Sequence, residues 1–172
     1  IPPQQRISEE WYQGTADAVY QNLFLLDSEQ PDYVLILAGD HIYKMNYMEM
    51  FHWLLAKGAD AVVGAIDIPI EDAHRFGVIH VDKDLRITDF IEKPAQPPSI
   101  PNDPTHAFGS MGIYLFRTKV LREQLVANAQ TSGTHDFGKD IIPRMIQDHR
   151  VYAYKFIDAN NKDVKYWRDI GT

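Results

Sequence analysis

The sequence predicts an α/β fold with a mostly parallel sheet, and three observations carry the prediction. Apolar runs of strand length recur, separated by stretches whose apolar residues fall at helical spacing. The two clearest runs, Tyr33 to Ala38 and Asp60 to Ile66, are nearly continuous rather than alternating, as in strands covered on both faces. Composition is ordinary globular usage, with 45% hydrophobic and 24% charged residues over 172 positions, enough for one domain or a large piece of one.

The elements follow in order. Ile1 to Ile7 reads as extended, with Pro2 and Pro3 fixing φ. After Gly14, Thr15 is a candidate helix N-cap, Asp17 complements the dipole, and Ala16, Val19, Tyr20, Leu23 and Phe24 share one face. Pro31-Asp32 turns the chain into the first buried strand, which Gly39-Asp40-His41 ends. Asn46 caps a second helix with Tyr47, Met50, Phe51, Leu54 and Leu55 on one face and Gly58 as its stop. A second buried strand then runs to Ile66. Phe76 to Val81 and Arg86 to Ile91 form a hairpin around Asp82-Lys83-Asp84. Half of the 10 prolines crowd Pro94 to Thr105, which predicts a loop. Strand Ala107 to Phe116, helix Thr118 to Asn128, helix Phe137 to Gln147 and strands Val151 to Ile157 and Val164 to Arg168 complete the chain. Pro143 is tolerated near the first turns of its helix.

Several function classes are excluded or disfavoured. Seventeen basic against 24 acidic residues give a net charge of −7, which argues against nucleic-acid binding by broad phosphate neutralisation but not against a small anionic ligand. No apolar stretch approaches the ~18 residues of a membrane span. With 0 cysteines there are no disulfides, thiolate zinc sites or thiol nucleophiles, which suits a reducing, cytoplasmic setting. The 7 histidines show no His-x-x-x-His pair, and the Gly-rich phosphate loops and the Gly-x-Ser-x-Gly elbow are missing. The chain begins and stops in dense sequence, so it reads as a fragment.

Candidate chemistry gathers at strand ends. Asp40 follows the first buried strand, where open sheets bind ligands; a carboxylate there holds a hard cation or completes a Gly-Asp turn. Asp169 follows the last strand, and two carboxylates from distant strand ends form a metal pair if the fold brings them together. Lys93 is biased to an extended backbone by Pro94, as a point charge for a phosphate or as a solvated lysine. Gln4, Gln5, Gln13 and Gly14 suit the edge of a nucleobase or solvent. Gly109-Ser110-Met111-Gly112 marks close approach of a ligand or of another backbone. Phe137 and Trp167 are sugar walls or core.

Eight blocks, taken together, resemble the bacterial ADP-glucose pyrophosphorylase family. They are Pro-Pro-Gln-Gln-Arg (2–6), Trp-Tyr-Gln-Gly-Thr-Ala-Asp-Ala-Val (11–19), Leu-Ala-Gly-Asp-His-Ile-Tyr-Lys-Met (37–45), Arg-Phe-Gly-Val (75–78), Phe-Ile-Glu-Lys-Pro (90–94), Ser-Met-Gly-Ile-Tyr-Leu-Phe (110–116), His-Asp-Phe-Gly-Lys-Asp-Ile-Ile-Pro (135–143) and Tyr-Trp-Arg-Asp-Ile-Gly-Thr (166–172). Gly-Asp-His and Glu-Lys-Pro occur across sugar-nucleotide pyrophosphorylases; the second and last blocks point to the ADP-glucose branch.

The resemblance implies a Rossmann-like nucleotidyltransferase domain that makes ADP-glucose and pyrophosphate from ATP and glucose 1-phosphate for glycogen synthesis. It implies Mg²⁺ on Asp40 and Asp169, with Lys93 on the sugar phosphate as the third catalytic group. Glu92, Lys93, Ser110, Asp136, Phe137 and Trp167 bind the sugar phosphate, and Gln5, Tyr12, Gln13, Gly14 and Thr15 face the nucleotide. It further implies that residues 1–172 are a partial catalytic domain, truncated at both ends. The glycine-rich triphosphate loop is expected before it and a left-handed β-helix domain after it, with the full-length protein a homotetramer and this piece alone inactive or nearly so. The alternatives are a sugar-1-phosphate nucleotidyltransferase using UTP, dTTP or GTP, and a non-catalytic regulatory subunit of the same fold.

Overall fold

The computed structural model describes residues 11–157 and 167–169, with backbone only for Arg168 and Asp169. The helices are α1 (Thr15–Tyr20), α2 (Leu23–Glu29), α3 (Tyr47–Lys57), α4 (Thr118–Ala129) and α5 (Ile142–Asp148). The strands are β1 (Tyr33–Ile36), β2 (His41–Tyr43), β3 (Ala61–Pro69), β4 (Gly77–Val81), β5 (Ile87–Glu92), β6 (His106–Arg117), β7 (Val151–Lys155) and β8 (Trp167–Asp169).

The main sheet has six strands in the order β5-β4-β6-β3-β7, with β1 also on β6, and β2 pairs with β8 in a separate ribbon. The expectation of a mostly parallel sheet fails: β3 with β7 is parallel, whereas β1, β3 and β4 each run antiparallel to β6 and β4 runs antiparallel to β5. The physical reason is that continuous apolar runs report helices on both faces, not strand direction. Along β3, Ala61, Val63 and Ala65 face a core built with Leu121, Leu125, Ile142 and Met145. Val62, Ile66 and Ile68 face a second core with Met50 and Leu54. The antiparallel β6 is buried as thoroughly as β3, with Ile113 and Phe116 fully enclosed. β1, expected to be buried on both faces, is half-buried along its length, since β6 is its only sheet partner among the described residues.

Local chemistry sets most boundaries. Asn46 accepts from the Met48 amide at 3.1 Å and caps α3, and Gly58 ends it at φ 55°. In the hairpin turn Asp82 Oδ1 accepts from the amides of Asp84 and Arg86. The first predicted helix divides at Gln21–Asn22, where the Asn22 side-chain amide donates to the Ala18 carbonyl at 2.8 Å and competes with helix continuation. Its N-cap is Gly14, not Thr15, because the Thr15 hydroxyl bonds a distant loop. The predicted helix Phe137 to Gln147 opens as a π-helical turn over Phe137–Ile141 before α5, with the Ile141 amide on the Asp136 carbonyl. Pro143 sits in the first turn of α5, where its missing amide costs least. Of the last predicted strand, Val164 to Tyr166 lie outside the described residues.

Candidate functional site

The sheet opens a crevice beside β6. On one flank of β6, β1 pairs up to Ile36 opposite Tyr114, while the pairing of β4 starts at Val78 opposite Gly109. The carboxyl end of β1 and the amino end of β4 therefore face each other across Ser110–Ile113. A cavity of about 660 Å³ lies here. Its floor is Ser110, Met111, Gly112 and Tyr114 of β6; Arg75, Phe76 and Gly77 enter from one edge and Phe90, Glu92 and Lys93 from the end of β5. His41, Trp167, Asp136 and Gly138 complete the wall.

Gly112 has φ 67°, and a Cβ there would lie 3.3 Å from His41 Cε1. The His41 ring packs edge-on against Trp167 with centroids 5.1 Å apart. Neither His41 Nδ1 nor Trp167 Nε1, both buried, has a hydrogen-bond partner among the described residues. The Tyr114 phenol is pushed up to about 12, chiefly by burial, so it stays protonated at neutral pH.

Glu92, Lys93, Ser110, Asp136 and Trp167 line one cavity. Phe137 does not: its ring is buried, stacked on Tyr114 at 5.3 Å and close to Phe116 at 5.7 Å, so the aromatic side chains at the cavity are Phe76, Phe90, Tyr114 and Trp167. Lys93 is not extended. Its φ is 48°, and its amide donates to the Phe76 carbonyl at 2.9 Å, so the closing bond of the β4–β5 ladder overrides the bias from Pro94. A non-glycine residue held in the left-handed region costs on the order of 1 kcal/mol, offset here by that bond and the buried Pro94 beside it.

Asp40 stands in the turn between β1 and β2 rather than directly at a strand end, with its side chain 60% exposed and Oδ1 3.8 Å from His41 Nε2. Asp169 lies within β8, not after it, and its backbone pairs with His41, one residue from Asp40. Two acids 129 positions apart in the chain are thus brought to neighbouring backbone positions. Among the described residues no three acidic or histidine side chains cluster as a metal cage. An exposed carboxylate with a second acid on the adjacent strand suits a cation that keeps water and phosphate oxygens as its other ligands.

On the predicted nucleotide side, Tyr12, Gln13, Gly14 and Thr15 do not line this cavity; Gln5 lies outside the described residues. The stretch is nonetheless tied to it. The Thr15 hydroxyl donates to Asp136 Oδ2 at 2.8 Å and accepts from the Phe137 amide at 3.1 Å. The His135 carbonyl accepts from the amides of Ala16 and Asp17. Asp136 Oδ1 accepts from Gly138 and Lys139 amides at 2.8 and 3.1 Å. Sequence reasoning missed His41, Arg75, Phe76 and Tyr114. The parity of Ser110, Gly112 and Tyr114 on one strand was available to find Tyr114; Arg75 opens the Arg-Phe-Gly-Val block, but nothing in that block assigns it a role.

A cavity flanked by the carboxyl end of β1 and the amino end of β4, with Arg75 and Lys93 opposite Glu92 and Asp136 in its lining, is able to take a small charged ligand. Residues 2–172 match the nucleotidyl transferase family, and the chain belongs to it. Within that family it is similar to proteins named glucose-1-phosphate adenylyltransferase. The relative from Methylococcus capsulatus is 51% identical over 100% of this chain and 41% of its own length. The one from Rhodopirellula baltica is 53% identical over 100% of this chain and 39% of its own length, and that from Dechloromonas aromatica 51% over 100% and 40%. The chain thus spans about 40% of the length of these curated relatives. No helix among the described residues is long and apolar enough to cross a membrane.

Proposed function

We propose that the intact protein joins ATP and α-D-glucose 1-phosphate into ADP-glucose and pyrophosphate. The observation that carries this reading is the 51% identity, across the whole of this chain, to a relative whose name states that activity. The cavity supports it, because five of the six residues expected to hold a sugar phosphate, all but Phe137, line it.

In this reading Lys93 takes the phosphate of glucose 1-phosphate. Glu92 and the lone pair of Asp136 Oδ2 not used by Thr15 accept from sugar hydroxyls, while Ser110 and the protonated Tyr114 supply hydroxyl donors. Trp167 and Phe76, centroids 5.9 Å apart, form the apolar wall. Tyr12, Gln13, Gly14 and Thr15, with Gln5, face the nucleotide. Asp40 and Asp169 would hold Mg²⁺, which when bound would supply charge neutralisation at the phosphate oxygens. The sugar phosphate oxygen bonds to the α-phosphorus of ATP as the bond from that phosphorus to the β-phosphate oxygen breaks, and pyrophosphate leaves with the electron pair. The nucleophile is already ionised at neutral pH, so no general base is required. The residues contribute alignment and charge neutralisation.

The test is product formation by the intact protein from glucose 1-phosphate with each of ATP, UTP, dTTP and GTP. ADP-glucose should dominate; preference for a pyrimidine triphosphate overturns the adenylyl assignment. Asp40→Asn should lower kcat by orders of magnitude with the circular dichroism spectrum unchanged. Unchanged turnover removes Asp40 from the metal site and leaves the non-catalytic reading in its place. The 172-residue chain alone is expected to show at most a trace of the intact protein's rate.

A further inference from the structure

The cavity carries a second cation that the proposed chemistry leaves without a task. Arg75 ends a 3-10 turn, Ala73–Arg75, held by the Arg75 amide on Asp72 O and the Phe76 amide on Ala73 O, both at 3.1 Å. The next residue, Phe76, is extended and accepts from the Lys93 amide, and Gly77 pairs with Glu92. Arg75 and Lys93 thus rise from two adjoining backbones stitched together one residue away, and both line the same cavity. Neither makes an ion pair among the described residues, although Glu92 and Asp136 line that cavity too. Asp136 is already engaged by the Thr15 hydroxyl and two amides.

Two unpaired like charges on one cavity repel each other, and the arrangement is relieved by an anion between them. A phosphate monoester carries close to two negative charges at neutral pH, its second pKa being about 6. One ammonium answers about half of that charge. A guanidinium supplies the rest and adds a planar fork that fixes the orientation of the phosphate oxygens. We propose that Arg75 is a substrate-binding residue that shares the phosphate of the sugar 1-phosphate with Lys93. The inference rests on the sugar-phosphate reading of the cavity and extends it to a residue that reading does not use.

The experiment is steady-state kinetics on the intact protein with Arg75→Gln, Arg75→Lys and Lys93→Gln. Arg75→Gln should raise KM for glucose 1-phosphate about tenfold or more, as expected for loss of a charge-assisted contact, and leave KM for ATP within about twofold. Arg75→Lys should recover part of the loss by restoring charge without the fork. Wild-type KM for glucose 1-phosphate should rise more steeply with salt than that of Arg75→Gln. A glucose 1-phosphate KM unchanged by Arg75→Gln, or an equal rise for both substrates, overturns the assignment. If Lys93→Gln raises that KM and Arg75→Gln does not, the Arg75 inference fails while the cavity keeps its substrate. If the intact protein forms no product from glucose 1-phosphate, both fail together.

Discussion

Thr15 and Asp136, 121 positions apart, are joined by a 2.8 Å hydrogen bond that links the start of α1 to the loop forming one wall of the cavity. The same hydroxyl accepts from the Phe137 amide, so one side chain pins both the carboxylate and the backbone of that loop. Thr15→Val keeps the shape and removes both bonds. It should destabilise the intact protein by about 1–2 kcal/mol and raise KM for glucose 1-phosphate as well as for ATP. Thr15→Ser should restore both. A thermal melt and two KM series decide it; a KM change confined to ATP would show that the bond does not couple the two sides.

Gly14 enforces the same junction sterically. A Cβ on it would collide with the backbone carbonyl oxygens of Thr134 and His135. Because those atoms belong to backbone, they cannot move aside as a flexible side chain does. Gly14→Ala should therefore separate α1 from the cavity loop, with a loss of about 2 kcal/mol or more in a denaturant titration and a larger drop in activity than Thr15→Val causes.

Gly112 tests the support of the acid pair. At φ 67° an added Cβ pays on the order of 1 kcal/mol in backbone strain. It also presses on His41, whose backbone pairs with Asp169 and whose ring holds Trp167. Gly112→Ala should shift the Mg²⁺ concentration for half-maximal rate upward by several-fold, with a smaller effect on KM for ATP. An unaltered Mg²⁺ titration would separate the β2–β8 ribbon from metal binding.

Alkaline stability follows from the tyrosines. Burial raises Tyr114 and Tyr154 to about 12, and raises Tyr43 further. The folded state thus keeps protons that the unfolded chain gives up near its ordinary value of 10.0. The stabilisation is fully present below about pH 10 and is lost as pH rises towards 12. For the deeply buried Tyr114 it is on the order of 2 kcal/mol. Denaturation of wild type and Tyr114→Phe at pH 8 and pH 11.5 should show wild type losing more stability over that interval. Parallel losses would contradict the assignment.

The sequence made most elements legible because their determinants are local. Asn46 and Gly58 bound α3 by chemistry within a few residues, and Asp82 closes its own turn. Where a distant partner competes, local reading failed. Thr15 looks like an N-cap until Asp136 arrives from 121 positions away, and Lys93 looks extended until the Phe76 carbonyl claims its amide. Phe137 reads equally as a sugar wall or as core, and packing on Tyr114 and Phe116 makes it core.

By itself, then, the sequence determined the layered α/β class, the hairpin, the main helices and, through ordered motif blocks, the membership in a sugar-nucleotide enzyme family. Apolar spacing and short-range capping are properties of neighbouring residues, and they survive without coordinates. The tertiary structure alone decided strand direction, the crevice where β6 passes from β4 to β1, the approach of Asp169 to Asp40 and the presence of Arg75 beside Lys93. Those depend on which segments meet across the sheet, and hydrogen-bonded pairing between remote strands leaves no periodic trace in either strand alone.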